Sequence, residues 1–293
     1  MYDIELAVIG GSGVYKMAGL TDVEEVTIST PFGNPSDKIT IGVLHETRVA
    51  FLPRHGRSHQ LTPGEVPYRA NIYALKLMGV KFIVSVSACG SLREDYSPGD
   101  VVVPDQLIDF TKGKRETTFF GRGLVAHVGV SNPFSPELSL ILADVVRDCG
   151  GNVHEGGAFI TIEGPRFSTK GESILFRQWG MGIIGMTTSP EAFLAAEAEI
   201  AYVCMAHVTD YDVWHEAEEP VSVDMVIKTL SANAQLAQDV VSNLVLNKAK
   251  WAGEFKAHSA MREALALIVD WNQVPIGVKD DLYPLIGKYT QHT

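Results

Sequence analysis

The amino-acid sequence predicts a single α/β domain with a buried, mixed or parallel central sheet flanked by helices. Short apolar runs that end in glycine or polar residues are typical of strands buried on both faces. Longer stretches with helical periodicity alternate with these runs along the chain. In addition, 46% of the 293 residues are hydrophobic, which is an ordinary globular composition.

The predicted strands are the short apolar runs. They cover residues 6–9, 49–52, 82–86, 101–103, 159–162, 182–186 and 201–206. The predicted helices lie between the strands and cover residues 68–78, 136–149, 171–178, 189–198 and 222–246. This alternation favours one continuous sheet with helices on both sides.

The chain after residue 247 has a different pattern. Met261, Ala264, Leu265 and Ile268 are spaced as on one face of a helix. Residues 275–277 and 283–284 contain prolines that we expect to end regular structure. We therefore predict a domain over residues 1–247 and a C-terminal extension over 248–293, helical and packed on the domain or on a neighbouring subunit.

Charge and cysteine content exclude several protein classes. Acidic residues outnumber basic ones 35 to 24, and the net charge of −11 disfavours binding to nucleic acid or anionic membranes. No apolar run approaches the roughly twenty residues of a membrane helix, and residues 1–5 lack the basic and apolar parts of a secretion signal. Three widely spaced cysteines indicate neither a disulfide framework nor a zinc site. We expect a soluble, cytoplasmic protein without a metal.

The residues that follow the strands are the candidates for a site, because open α/β sheets bind ligands outside the carboxyl ends of their strands. Residues 10–13, with Ser12, can offer backbone N–H groups and a hydroxyl to an anion, or form a structural turn. They lack the third glycine of a dinucleotide fingerprint, which disfavours a nicotinamide-dependent enzyme. Residues 53–59 include Arg54 and His55 and predict an anion site, or alternatively a solvated basic loop.

Three later strand ends also carry polar or aromatic groups. Phe167 offers a stacking face for a flat ligand or a core side chain, and Thr187 can donate to an anion or cap a helix. Asp210 and Asp212 project to the same side if the backbone is extended. Their repulsion is then expected to raise the pKa of one carboxyl and keep it protonated near neutral pH. A turn with two solvated aspartates is the alternative.

Together these segments resemble the trimeric purine nucleoside phosphorylase family, and within it the branch that acts on 5′-methylthioadenosine. The resemblance spans about residues 4–247 and rests on blocks that occur in the family's order. The blocks are residues 9–13, 30–37, 54–57, 68–71, 88–93, 105–109, 161–168, 185–191 and 209–212.

The resemblance implies phosphorolysis of 5′-methylthioadenosine to adenine and 5-methylthioribose 1-phosphate, with inorganic phosphate as co-substrate and no cofactor. It places Met186 against the ribose, Phe167 against the base and Ser168 nearby. It also places Asp210 and Asp212 opposite the purine N7 and the exocyclic amine, where enzymes for 6-oxopurines carry asparagine. The phosphate residues that it implies are Ser12, Arg54, His55, Ser87, Ala88 and Thr187.

The family also implies a 5′ pocket and an assembly. Val223, Val226 and Ile227 form an apolar stripe whose first turn faces the 5′-methylthio group, with core packing as the alternative. His127 matches a position that the family contributes to the neighbouring subunit's site, in a homotrimer or a dimer of trimers. Two other functions stay open: a phosphorylase of broader or 6-oxopurine specificity, and a non-catalytic nucleoside-binding protein.

Overall fold

The computed structural model describes residues 2–11, 17, 19–215, 223–265 and 271–290, with the backbone alone for residues 223–232. The strands are β1 (Leu6–Gly10), β2 (Thr21–Val26), β3 (Ile39–Leu44), β4 (Thr47–Pro53), β5 (Phe82–Ser91), β6 (Val101–Val103), β7 (Gln106–Phe110), β8 (Val153–Glu155), β9 (Ala158–Ile162), β10 (Met181–Gly185) and β11 (Ala201–Asp210). The helices are α1 (Tyr68–Leu77), α2 (Pro136–Asp148), α3 (Lys170–Gln178), α4 (Thr188–Glu197), α5 (Val223–Leu246) and α6 (Ile276–Thr290).

Strand β5 lies at the centre of one mixed sheet. It pairs in parallel with β1 and β11, and its last residues pair antiparallel with β10. From β1 the sheet continues through β4 and β3 to β2, from β10 through β9 to β7, and beyond β11 through β6 to β8. Side chains alternate along β1, so that Ala7 and Ile9 join one apolar cluster and Leu6 and Val8 join another. The predicted fold class, an α/β sheet covered on both faces, is confirmed.

The helices that cover the sheet begin and end within one residue of the predicted bounds for α1 to α5. Local capping explains two of the beginnings. Ser135 accepts a hydrogen bond from the Leu138 amide before α2, and Thr169 and Glu172 form a capping box at the start of α3. None of the helices in the described ranges is long and apolar enough to cross a membrane.

Two strands extend further than their apolar runs predicted. Ser87, Ala88 and Asp210, which we expected in turns after strands, lie within β5 and β11. The two strands pair along almost their whole length, so each satisfies the backbone groups of the other beyond the apolar part. Strands β2, β3, β7 and β8 were not predicted from the sequence. The side chains of β2 and β7 are mostly exposed, so these strands lack the apolar runs on which the predictions depended.

The C-terminal segment differs from its prediction. Residues 261–265 form turns rather than a helix, and Ile268 lies outside the described residues. Instead α6 begins directly after Pro275 and continues through Pro284, where we expected regular structure to end. An interior proline costs about 3 kcal/mol. Burial of an apolar side chain contributes about 1.5–3 kcal/mol, and α6 buries four such side chains in the main core, which outweighs the proline: Val278, Leu282, Leu285 and Ile286.

Two buried glutamates connect α4 to its surroundings. Glu197 accepts hydrogen bonds from the Thr118 hydroxyl at 2.6 Å and from the Phe119 amide at 2.8 Å. Glu199, two residues later, accepts from the Met261 amide at 3.0 Å and pairs with Lys288 at 2.5 Å. The first glutamate therefore fixes the long segment between β7 and α2, and the second fixes the C-terminal extension.

Glu197 should make folding stability depend on pH. Burial raises its pKa from 4.5 to about 7, although its two hydrogen bonds oppose the rise. The stability that protonated Glu197 contributes is therefore fully present below about pH 4.5 and is lost as the pH rises through about 7. The free energy of unfolding should fall between pH 4.5 and pH 8, and in Glu197→Gln this fall should be smaller by about 2–3 kcal/mol. Denaturant unfolding at both pH values measures it.

A second variant makes the assignment specific. Thr118→Val deletes a donor to the ionised carboxylate and so raises the folded-state pKa of Glu197 further. The loss of stability should therefore begin at the same pH but become larger and extend to higher pH. Parallel pH profiles for the wild type and Glu197→Gln would show that another group causes the dependence.

Candidate active site

Arg54 connects the ends of several strands. It follows β4, is 3% exposed, and binds Glu191 of α4 through two hydrogen bonds, Nε to Oε2 at 2.7 Å and Nη2 to Oε1 at 2.8 Å. Nη2 also donates to Ser85 Oγ at 2.7 Å, and Nη1 donates to the carbonyl of Val86 at 3.1 Å. Glu191 is fully buried and accepts a further hydrogen bond from the Tyr202 hydroxyl at 2.8 Å. A two-bond ion pair thus fixes β4, β5, β11 and α4 relative to one another.

The charge on Arg54 is permanent. Burial alone would lower its pKa, but the Glu191 carboxylate outweighs burial, and the pKa of the guanidinium lies above its ordinary value. The four bonds to Glu191, Ser85 and Val86 use four of its five N–H groups. One Nη1 hydrogen has no partner in the described part of the chain. We expected Arg54 to bind an anion with its whole guanidinium, but most of its donors hold the protein together.

His55, next to Arg54 in the chain, offers a hydrogen-bond acceptor rather than a cationic donor. Its Nδ1 lies 2.9 Å from the carbonyl of Leu61, and because a carbonyl only accepts, Nδ1 carries the proton. The ring stacks on His59 with centroids 5.8 Å apart. Burial, and then the charge of Arg54, lower the pKa of His55. The ring is therefore neutral near pH 7, and Nε2 can accept a hydrogen bond from a protonated phosphate oxygen.

Two hydroxyls belong to residues close in the chain to the partners of Arg54. Ser87 follows Val86 in β5, and its buried Oγ has no hydrogen-bond partner in the residues that the structure describes. Thr187 precedes α4, but its side chain makes no capping hydrogen bond. Both can donate to an anion. Ala88 lies next to Ser87 in β5, and Ser12 lies outside the described residues.

Asp210 and Asp212 meet through a turn rather than through strand alternation. Asp210 ends β11, and Asp212 follows in a left-handed backbone conformation with φ 49°. Asp210 Oδ1 accepts from the Asp212 amide at 2.8 Å, and Oδ2 accepts from the Thr209 hydroxyl at 2.6 Å. Each aspartate is 7% exposed, so the alternative of two solvated side chains is wrong.

Burial is the main reason that the pKa values of both carboxyls are raised. Hydrogen bonds from Thr209 and from the Asp212 amide oppose the rise at Asp210. At Asp212, the Ser173 hydroxyl opposes the rise and the charge of Asp210 adds a smaller contribution. Repulsion, which we expected to dominate, is therefore secondary. The Ser168 and Ser173 hydroxyls lie close enough to Asp212 to oppose the rise in its pKa. Within the described residues, however, their Oγ atoms and Oδ2 of Asp212 are buried without a hydrogen bond of good geometry, so they can turn to the polar edge of a ligand.

An aromatic ring and a thioether follow the neighbouring strands. Phe167 is 36% exposed, which contradicts the core alternative and leaves its ring accessible to a flat ligand. Met186 packs closely on Gly164: a Cβ atom there would lie 2.5 Å from the Met186 sulfur, and φ of Gly164 is 67°. The left-handed backbone conformation thus favours glycine at position 164, and a larger residue there would also displace the Met186 side chain.

The structure does not bring every predicted residue to this place. His127 is exposed, and its amide donates to the carbonyl of Ala264 at 3.0 Å, in the C-terminal segment rather than at the strand ends described above. Val223, Val226 and Ile227 begin α5, but their side chains lie outside the described part. Their placement in a 5′ pocket stays a prediction.

Three further residues of the site, Glu191, Arg115 and Trp214, were not predicted from the sequence. Glu191 stands in the apolar segment of α4, and a lone carboxylate in such a segment is a signal for a buried cationic partner. Trp214 anchors the turn after Asp212, since its Nε1 donates to the Ser91 carbonyl at 2.7 Å and the Arg177 guanidinium lies 3.3 Å from its ring centre. Arg115 lies in an irregular segment where no periodicity could single it out.

The arrangement combines anion donors, a stacking ring and two carboxyls that can carry a proton. This suits transfer of a sugar between an anion and a flat base. Within the described residues, no three His, Cys, Asp or Glu side chains are placed to hold a metal ion.

The known proteins that this chain resembles in sequence and structure are phosphorylases. The family model of the phosphorylase superfamily matches residues 5–246. The S-methyl-5′-thioadenosine phosphorylase of Chloroflexus aurantiacus is 53% identical and covers 99% of this chain and 99% of its own length. The solved methylthioadenosine phosphorylase from an Antarctic soil metagenomic library covers 97% of this chain and 99% of its own, with a TM-score of 0.92 and 47% identity. A Schistosoma mansoni adenosine/methylthioadenosine phosphorylase variant in complex with methylthioadenosine has a TM-score of 0.81, with 34% identity and coverages of 90% and 98%.

Loss of the Arg54–Glu191 pair should destabilise the fold strongly. Glu191→Ala leaves a buried, unpaired guanidinium, which costs about 3–5 kcal/mol. The matched control is Asp95→Ala, because Asp95 accepts two hydrogen bonds of 2.8 Å from Arg93 at the exposed surface. That change should cost at most about 1 kcal/mol. Denaturant unfolding of both variants measures the difference, and equal losses would contradict the role given to Glu191.

Proposed function

The chain belongs to the phosphorylase superfamily, and from this premise we propose that it cleaves 5′-methylthioadenosine with inorganic phosphate. The products are adenine and 5-methylthioribose 1-phosphate. The observation that carries the choice of substrate is the buried Asp210–Asp212 turn, in which burial raises the pKa of both carboxyls. The names and near-complete coverage of the relatives support the same substrate.

The aspartate pair would recognise and protonate adenine. Cleavage of the glycosidic bond builds positive charge on the ribose and negative charge on the departing base. A protonated carboxyl donates to N7, and an ionised one accepts from the 6-amino group. The two groups titrate as a pair, and one proton shared between them satisfies both requirements. Hypoxanthine has a carbonyl at position 6 and would leave the ionised carboxylate unpaired.

The groups that follow β1 and β4 in the chain, those within β5 and the residue before α4 would hold phosphate below C1′. We assign this role to Ser12, Arg54, His55, Ser87, Ala88 and Thr187. The remaining Nη1 hydrogen of Arg54 and the unused Ser87 and Thr187 hydroxyls can donate to it, and neutral His55 can accept from its protonated oxygen. Held in this way, phosphate attacks as a positioned nucleophile. The reaction needs no metal or organic cofactor, because phosphate itself supplies the nucleophile.

The remaining contacts would come from both sides of the nucleoside. Phe167 stacks on the base beside Ser168, Met186 lies against the ribose, and the 5′-methylthio group lies against the apolar stripe of α5. The stripe consists of Val223, Val226 and Ile227. The exposure of Phe167 and the close packing of Met186 on Gly164 support this placement.

We also propose a cytoplasmic homotrimer, alone or as a dimer of trimers. His127 would reach the site of a neighbouring subunit, and its exposure together with its fixed backbone supports that role. All three cysteines are unpaired, which is in keeping with a reducing compartment.

Purine release should require phosphate. The assay measures release from 5′-methylthioadenosine, adenosine and inosine, each with and without phosphate. We expect 5′-methylthioadenosine to exceed adenosine about 10- to 200-fold in kcat/KM, the range of an apolar pocket, and inosine to be the poorest substrate. Release without phosphate would indicate a hydrolase, faster inosine cleavage a 6-oxopurine enzyme, and binding without release a non-catalytic protein.

Asp210→Asn and Asp212→Asn should each reduce kcat/KM for 5′-methylthioadenosine. Loss of the acid costs about 10²- to 10⁴-fold. Because the protonated acid is the active form and burial raises its pKa, wild-type kcat/KM should fall as the pH rises through that value. The variant that lacks the acid should lose this pH dependence. The control is Asp144→Asn at an exposed position. If Asp210→Asn and Asp212→Asn both keep wild-type rates, another group must be the acid.

A further inference from the structure

Arg115 joins two segments that leave neighbouring strands. Its side chain is 2% exposed. Nε donates to Glu163 Oε2 at 3.1 Å and Nη2 donates to the Glu163 carbonyl at 2.8 Å, just after β9. Nη1 donates to the carbonyls of Met186 and Ser189, both at 2.8 Å, just after β10. One buried guanidinium therefore fixes the spacing between the two strand ends.

Helix α1 holds the guanidinium from a third side. The Tyr68 hydroxyl lies 3.0 Å from Nη1 and itself donates to the Pro63 carbonyl at 2.8 Å, so its oxygen accepts from Arg115. The Tyr68 ring lies 5.4 Å from the guanidinium carbon. Arg115 is thus enclosed by protein groups, and it cannot move without breaking bonds to three elements.

The two joined segments carry different halves of the site. Phe167 and Ser168, assigned to the base, lie four and five residues after Glu163. Thr187, assigned to phosphate, lies between Met186 and Ser189. Phosphorolysis joins an atom held by one half to a sugar whose base is held by the other. A small change in their spacing therefore affects the reacting geometry more than it affects either half alone.

We propose that Arg115 is a positioning residue that sets the distance between the base side and the phosphate side of the site. This inference rests on the proposed function. Only arginine fits the role, because its planar fork directs donors to separate acceptors, whereas a lysine ammonium is a compact point charge. A lysine would keep the positive charge beside Glu163 but could not make all five hydrogen-bond contacts of the guanidinium.

Steady-state kinetics of Arg115→Lys test the proposal. We expect kcat to fall about 10²-fold, while the KM values for 5′-methylthioadenosine and phosphate stay within about threefold of the wild type. The control is Arg147→Lys, since Arg147 pairs with Asp144 and Glu155 at the exposed surface and should keep wild-type kinetics. Adenine binding, measured by calorimetry, should also be retained in Arg115→Lys.

A second variant covers a failure to fold. Glu163→Gln keeps the backbone carbonyl acceptor and removes only the ionised side-chain partner of Arg115. It should lower kcat about tenfold with unchanged KM, because about tenfold corresponds to the loss of one hydrogen bond to a charged group. If circular dichroism shows that Arg115→Lys is unfolded, the kinetics of Glu163→Gln test the proposal instead. A folded Arg115→Lys that retains kcat, or that changes KM alone, would overturn the proposal. A wild type without phosphorolysis would instead overturn the proposed function.

Discussion

The buried ion pair between Arg54 and Glu191 is the contact on which the geometry of the site depends. A charge removed from water costs several kcal/mol unless a partner and further hydrogen bonds compensate for it. Arg54 obtains that compensation only if β1, β5 and α4 all keep their places, because its donors reach Ile9, Ser85, Val86 and Glu191. Any displacement of one element would expose or unpair the charge. The carboxyl ends of these strands are therefore held together before any ligand binds.

Buried ionisable groups of the site differ in charge. A buried group stays charged where it touches an opposite charge, and burial favours its neutral form where it does not. Arg54 touches a carboxylate and stays charged. His55, Asp210 and Asp212 have no such contact in the described residues, so burial favours their neutral forms. The same apolar surroundings thus keep Arg54 a permanent cation on the proposed anion side and favour the protonated form of the two aspartates on the proposed base side. This separation of charge states is what glycosidic cleavage with an acid and an anionic nucleophile requires.

The sequence could predict what apolar periodicity and strand ends encode. It identified the helices α1 to α5 and the segments that form the site, because buried runs and the residues that follow them are local features. It could not show that Asp212 turns back onto Asp210, since that depends on a left-handed residue and a side chain-to-backbone bond. Nor could it identify Arg115 or the helical path through Pro284. Both depend on packing against distant elements, and tertiary burial can override local propensity.

Helix α4 shows why the C-terminal extension bears on the site. Its buried Glu191 binds Arg54, while Glu197 binds the amide of Phe119 in the segment that carries Arg115. Glu199, directly after the helix, accepts hydrogen bonds from the Met261 amide and the Tyr289 hydroxyl. Since these carboxylates lie within nine residues of chain, a shift of the extension would be transmitted to the segment between β7 and α2 and to the strand ends. The family model ends at residue 246, yet the relative from Chloroflexus aurantiacus covers 99% of this chain. The extension is therefore shared with a relative and is hydrogen-bonded to Glu199, two residues after the helix that completes the buried ion pair.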